Sequence, residues 1–311
     1  MAGGQERILK RRIRSIESTK KITRAMELIA ASRIVRAQQR VAAARPYSEQ
    51  ITEVIRSLAA GGVQLKHPLL NPEREVRRVG FVVIAADRGL CGAYNSAVIR
   101  TGERALQAEV ARGREYALVL VGRKAVSYFR YRRYRIDAAF EGMTDQPTYE
   151  DARQVAAAVI EPFEAGEIDQ VELVYTQFLS AGTQRVLVRR LLPIDTGAVA
   201  EGGGELRADY EFEPDPGEIL ARLLPRYVEA RLFAAMLDAA ASEHAARQRA
   251  MKSATDNAED LIVRLTRVMN RARQDSITTE IMEIVGGAEA LRQAKAAGEG
   301  APVPSREVAE K

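Results

Sequence analysis

The stretch Met251–Ala272, MKSATDNAEDLIVRLTRVMNRA, carries the periodicity that decides the fold. Met251, Ala254, Ala258, Leu261, Leu265, Val268 and Ala272 recur at steps of three and four without a break. That spacing marks a narrow apolar seam along an α-helix. Upstream the segment is rich in alanine, from Ala234 through Ala239, Ala240 and Ala241 to Ala250. Alanine has the best helix propensity and lets a partner helix come close. The pattern begins near Pro216 and ends near Leu291, more than about 100 Å at ~1.5 Å per residue. Pro225 falls where it would kink the first turns.

A second seam stands at the other end of the chain. Leu9, Ile13, Ile16, Ile22, Met26 and Ile29 repeat at helical spacing, and after a shift of phase Ile34, Ala37, Val41, Ala44, Ser48, Ile51, Ile55 and Leu58 continue it. A helix from Gln5 to Leu58 would be roughly 80 Å long, with Pro46 predicting a kink or break near Arg45. Two helices this long cannot both bury their seams against a domain of ordinary size. The economical arrangement is an antiparallel coiled coil formed by the two ends of the chain, with whatever lies between inserted as a separate domain.

What lies between changes character. The runs VGFVVIAA (79–86), YALVLVG (116–122) and VELVYTQFL (171–179) have strand length and β-branched content. Helical stretches Tyr94–Arg112, Arg123–Arg130 and Tyr149–Glu164 separate them, with YRIDAAF (134–140) as a weaker strand and Gln184–Leu192 as a hairpin strand at the edge. Such alternation predicts a mainly parallel sheet with helices on its faces. The expected fold is therefore α/β plus a long antiparallel coiled coil, with a Rossmann-like domain inserted between the coiled-coil helices. Its parts are an N-terminal helix (1–60), a central α/β domain (61–200), a Gly-rich linker and foot (201–215), a C-terminal helix (216–291) and a disordered tail (292–311).

Charge is distributed unevenly. Met1–Arg45 holds twelve Lys or Arg against three Glu, whereas the whole chain carries only +5. A basic arm asks for an acidic partner, whether nucleic acid, lipid or protein, although a solvated helix face explains it equally well. No apolar run approaches the length of a membrane span. A single cysteine cannot form an internal disulfide, which points to a reducing compartment. One Cys and two distant His, His67 and His244, make no recognisable metal cluster.

The turn DRGLCG, Asp87 to Gly92, follows the first strand, where α/β proteins place ligand loops. It has neither the GxxxxGK[ST] nor the GxGxxG spacing of a phosphate loop. Arg88 near Cys91 would lower a thiol pKa, yet no His lies nearby in sequence. A structural turn is the better reading, with Gly89 and Gly92 allowing a tight bend. The KRRIRS helix lacks the stacking aromatics or motif of a nucleic-acid binder. The chain reads as a mechanical or interaction protein, without cofactor, more readily than as an enzyme.

Several long motifs, in order, resemble the gamma subunit of F-type ATP synthases: RIRSIESTKKITRAMELIAASRIVRAQ near the N-terminus, DRGLCG in the centre, then YEFEPDP, SEHAARQRAMKSATDNAEDLI and NRARQDSITTEIMEIVGGA. The resemblance covers about residues 3 to 291. It implies a non-catalytic rotor shaft, one per ring of three alpha and three beta subunits. The α/β domain would stand outside that ring, against the epsilon subunit and the membrane c-ring, at the cytoplasmic face of the bacterial plasma membrane, with no nucleic acid involved. By the same resemblance, Lys21, Arg24 and Met26, with Arg273, Gln274, Thr278, Glu280 and Glu283, face the beta subunits and couple rotation to catalysis. Tyr210, Phe212 and Glu213 match the foot on the c-ring. Asp87, Arg88, Gly89, Leu90, Cys91 and Gly92 match a structural turn. The chain has no inserted cysteine pair of the chloroplast type, which excludes thiol regulation of that kind.

Overall fold

A computed structural model describes residues 2–60, 67–70, 75–194 and 216–298. Helix α1 spans Ala2–Ala60 and α5 spans Pro216–Gly298. Between them lie β1 (Arg78–Ile84), α2 (Tyr94–Ala111), β2 (Glu115–Val121), α3 (Arg123–Tyr131), β3 (Ala138–Phe140), α4 (Tyr149–Glu164), β4 (Gln170–Phe178) and β5 (Gln184–Leu192). The expected helices and strands between the two long helices are all present, within a residue or two at their ends except for β3, which begins four residues later than the run YRIDAAF. α1 runs through Pro46 and α5 through Pro225 without interruption. α5 also continues past Leu291, where the sequence pattern ends, to Gly298. The Gly-rich linker, the foot residues Tyr210, Phe212 and Glu213, and residues 299–311 lie outside the described residues.

The chain divides into two compact units, and the divisions fall inside the long helices. Arg24–Ser253 forms one unit; Met1–Thr23 with Ala254–Lys311 forms the other.

In the larger unit a five-stranded sheet has the order β3-β2-β1-β4-β5. The first four strands are parallel and β5 returns antiparallel to β4. β1 is central and buried on both faces, so it reads as a continuous apolar run rather than an alternation. Its alternate side chains still divide between two cores. Val79, Phe81 and Val83 pack with Val98, Ile99 and Leu106 of α2 and Val126 and Phe129 of α3. Val82 and Ile84 pack with Val155, Val159 and Phe163 of α4, Ile51 and Ile55 of α1, and Leu220, Leu224 and Val228 of α5. The long helices thus cover the α4 face of the sheet. Thr148 caps α4 by accepting from the Asp151 amide at 3.2 Å, while the Asp151 carboxylate accepts from the Thr148 amide at 2.7 Å.

In the smaller unit the two chain ends run antiparallel. Thr23 Oγ1 lies 2.8 Å from Thr255 Oγ1, and Lys20 Nζ lies 3.1 Å from Glu259. Ile13, Thr23, Thr255, Ala258 and Ser276 are buried, with Ile16, Ile262, Leu265, Met269 and Ala272 half-buried beside them. At some turns the seam differs by one position from the sequence reading, while Ile13, Ile16, Ala258, Leu265 and Ala272 face inward as expected. Ile22 is 58% exposed while Thr23 is buried, and Val268 is 50% exposed while Met269 turns inward. The same displacement occurs in the larger unit, where Ile29 faces solvent and Ala30 is buried. Small side chains such as Thr23, Ala30 and Ala258 let helix backbones approach, and the larger apolar neighbours are turned outward.

Candidate functional site

The turn after β1 lies where the order of strands reverses, between β1 and β4, the usual ligand crevice of such sheets. Here its groups are committed to structure. The Asp87 carboxylate accepts from the amides of Arg123 (3.0 Å), Gly142 (2.9 Å) and Thr144 (3.1 Å) and from the Thr144 hydroxyl (2.9 Å). Burial works against its charge, yet these four donors hold its pKa below the usual carboxylate range. Leu90 and Gly92 have positive φ, 62° and 59°.

α5 packs on the turn. Arg247 donates to Gly89 O at 3.2 Å and pairs with Glu243 at 2.6 Å, both side chains nearly buried. The Tyr94 hydroxyl donates to Ala239 O, and Ser242 Oγ to Thr176 O. Cys91 is 1% exposed, and Asn95 Nδ2 lies 3.1 Å from its Sγ. Burial pushes the thiol pKa up, so the depressed value expected from Arg88 is corrected: desolvation and the nearby Glu243 outweigh the cations. Asp87, Gly89 and Cys91 are thus fastened to α2, α3 and α5, whereas the Leu90 side chain is 63% exposed.

Asp238 of α5 is partly buried, and burial lifts its carboxyl to about 6 against the pull of Arg189 and Arg45. A carboxyl whose pKa is higher folded than unfolded gives stability that is present in acid and lost as pH rises through the folded value. Between pH 3.8 and about 6 this group therefore makes stability fall with rising pH. Asp238→Asn should flatten that fall, as read by urea denaturation of the full chain at a series of pH values. An unchanged slope would remove Asp238 as its source.

The coupling residues implied by resemblance sit on helix surfaces. Lys21 and Arg24 are exposed and Met26 half-buried; Arg24 pairs with the buried Glu27 at 2.9 Å. Arg273, Gln274, Thr278, Glu280 and Glu283 are all exposed, with Ser276 Oγ 3.4 Å from the Glu280 carboxylate. The register fixed by the Thr23–Thr255 and Lys20–Glu259 contacts brings the start of α1 level with Ser276. Beyond that point, residues 277–295 are exposed on every side. Ile277, Ile281, Met282, Ile284, Val285 and Leu291 are 49–73% exposed. At 3.6 residues per turn they cover about half the circumference of the helix. Gln274 and Thr278 fall within that half, and Arg273 and Glu280 on its margin.

Sequence reasoning did not find the polar cluster Asp145, Glu243, His244 and Arg247 with Arg33. Its one visible signal was the trio Ser242-Glu243-His244 inside an alanine-rich helix.

These features define a helical stalk protein, in which an α/β domain is fastened to a pair of long helices whose outer surfaces are both charged and apolar. A sequence model described as ATP synthase matches residues 5–291. The chain is 53% identical to the ATP synthase gamma chain of Frankia casuarinae, over 93% of this chain and 98% of that one. It is 47% identical to that of Streptomyces avermitilis, over 94% and 98%. It belongs to the gamma-chain family of ATP synthases, a non-catalytic subunit. Among solved structures it is similar to a chain of the Euglena gracilis mitochondrial ATP synthase (OSCP/F1/c-ring), with a TM-score of 0.65 at 19% identity, covering 98% of this chain and 99% of that one. No helix among the described residues is long and apolar enough to cross a membrane.

Proposed function

We propose that this chain is the central rotor shaft of a proton-translocating F-type ATP synthase, turning with the membrane c-ring and cycling three catalytic beta subunits through their states. The observation that carries this reading is the lone end of α5. A helix of soluble protein with six large apolar side chains in water is missing a partner. A sleeve formed by a ring of subunits is the partner that would enclose it on all sides.

The physical logic follows from symmetry. One asymmetric shaft inside a threefold ring presents a different surface to each beta subunit. A partner shifts a conformational equilibrium only by binding its states unequally, so each site is biased toward a different nucleotide-binding state, and rotation exchanges those biases. In this reading Lys21, Arg24, Met26, Arg273, Gln274, Thr278, Glu280 and Glu283 meet the beta subunits. Charged hydrogen bonds suit contacts that form and break at each step. Tyr210, Phe212 and Glu213 meet the c-ring, the α/β domain meets epsilon, and the assembly sits at the cytoplasmic face of the plasma membrane.

Co-expression with the alpha and beta subunits of the same organism tests the reading. A particle of three alpha, three beta and one copy of this chain, with ATPase activity that depends on the chain, is expected; exclusion of the chain from the ring would refute it. Within that particle, the double variant Arg273→Ala and Glu280→Ala should lower ATPase activity severalfold while leaving the melting temperature of the isolated chain unchanged, because both side chains are exposed. A loss of stability without loss of activity would assign them to the fold instead.

A further inference from the structure

Within the larger unit a cavity of about 90 Å³ lies between α1, α5 and the loop before α4. Arg33, Arg36 and Arg40 line one side, with Ala37 beneath them. Leu237, Ala240 and His244 of α5 and Asp145, Gln146 and Pro147 of the loop complete it. The three arginines recur at steps of three and four, so one face of α1 presents three guanidinium groups together. Among the described residues, only one of them is neutralised by a carboxylate. Arg33 Nη1 donates to both Asp145 oxygens at 2.6 Å, which commits that carboxylate. Arg40 reaches only the neutral Gln146 Oε1, at 3.4 Å. Arg36 has no carboxylate partner among the described residues. The walls thus carry an excess of about two positive charges.

His244 closes the inner wall of the cavity. Its side chain is 3% exposed, and Nε2 lies 3.4 Å from Asp145 O and 3.7 Å from Asp145 Oδ1. Nδ1 is buried with no hydrogen-bond partner among the described residues. Nε2 faces the two Asp145 oxygens, so in the neutral ring it carries the proton and donates to Asp145, which leaves an anion to the guanidinium groups. Guanidinium forks match the oxygens of phosphate-type anions in spacing and charge. The volume equals the share of about three liquid waters, room for a tetrahedral oxyanion but not for a nucleoside.

We propose that this cavity binds one inorganic oxyanion of the phosphate class, gripped by Arg36 and Arg40 beside the Arg33–Asp145 pair. Bound there, the anion ties α1 to α5 and to the loop ahead of α4, joining three elements that now meet across unbalanced positive charge. The site lies within this chain alone and does not depend on the rotary reading.

The test is a titration of the full-length chain with inorganic phosphate, followed by calorimetry and by ³¹P line broadening. One phosphate per chain is expected, with sulfate competing and ATP, too large for the cavity, competing poorly. The double variant Arg36→Gln and Arg40→Gln should weaken binding at least tenfold. Its melting temperature without phosphate should match the unsubstituted chain, since both side chains are exposed. Absence of saturable binding, binding indifferent to this variant, or ATP competing as well as sulfate would each overturn the site.

Discussion

Gly122→Ala is expected to leave little or no folded protein. Gly122 sits between β2 and α3 with φ at +95°, a conformation that side-chain-bearing residues rarely adopt. A Cβ built there would lie 2.2 Å from Ala85 O and 2.8 Å from Ala85 C. Those are backbone atoms, and the backbone around them is held. Ala85 donates to Val121 O at 2.9 Å, Gly122 to Phe140 O at 2.8 Å, and Lys124 to Ala86 O at 3.0 Å. Relief of the clash means separating the ends of the two central strands. Strain and overpacking together place the cost above roughly 4 kcal/mol, a large part of the 5–15 kcal/mol typical of a domain. Gly113→Ala is the control. It shares a positive φ, +81°, but has open space around it, so only the conformational penalty of about 1–2 kcal/mol applies. Urea denaturation of both variants reads the difference; equal midpoints would mean that the turn after β2 rearranges freely.

Truncation after Ser276 should separate stability from assembly. Residues 277–295 are all exposed, so the shortened protein is expected to melt where the full chain melts. Its incorporation into an alpha–beta ring should fall at least tenfold, and the ATPase activity of the assembled particle with it. Full burial of a Leu- or Ile-sized side chain is worth about 1.5–3 kcal/mol. Six such side chains, even partly enclosed, therefore exceed the 1.4 kcal/mol that corresponds to a factor of ten. A truncated chain that assembles as well as the full one would show that the lone helix end is not the gripped part. One that loses stability would show that it packs on its own chain.

The α/β domain was legible because its signals are local. VGFVVIAA and YALVLVG each specify a strand without reference to the rest of the chain, and the order of helices and strands then restricts the sheet. The two long helices were legible as helices, but the seam was misplaced by one residue at Ile22, Ile29, Leu261 and Val268. The periodicity argument assumes that the largest apolar residue at a given turn faces inward. It fails where a small residue takes the tight contact between helices and its larger apolar neighbour is turned outward. Thr23 and Ala30 were passed over for this reason. The four donors that hold the Asp87 carboxylate come from residues 36 to 57 positions away, which no local pattern reveals. The cluster of Arg33, Asp145 and His244 escaped for the same reason, each member looking like an ordinary surface residue in its own segment.

The pairing of Thr23 with Thr255 joins residues 232 positions apart. On a ribosome adding about 5–20 residues per second, the first helix therefore waits roughly ten to fifty seconds before its partner exists. The α/β domain emerges within that interval, and the sheet face that covers Ile51 and Ile55 can form before the far end of the coiled coil is made. Folding thus proceeds from the middle of the molecule outward, and the amino-terminal end, made first, is among the last parts to be secured. Ile8 and Ile22 remain open to other chains throughout that delay, so a nascent-chain chaperone that binds short apolar helices should find its site within the first thirty residues.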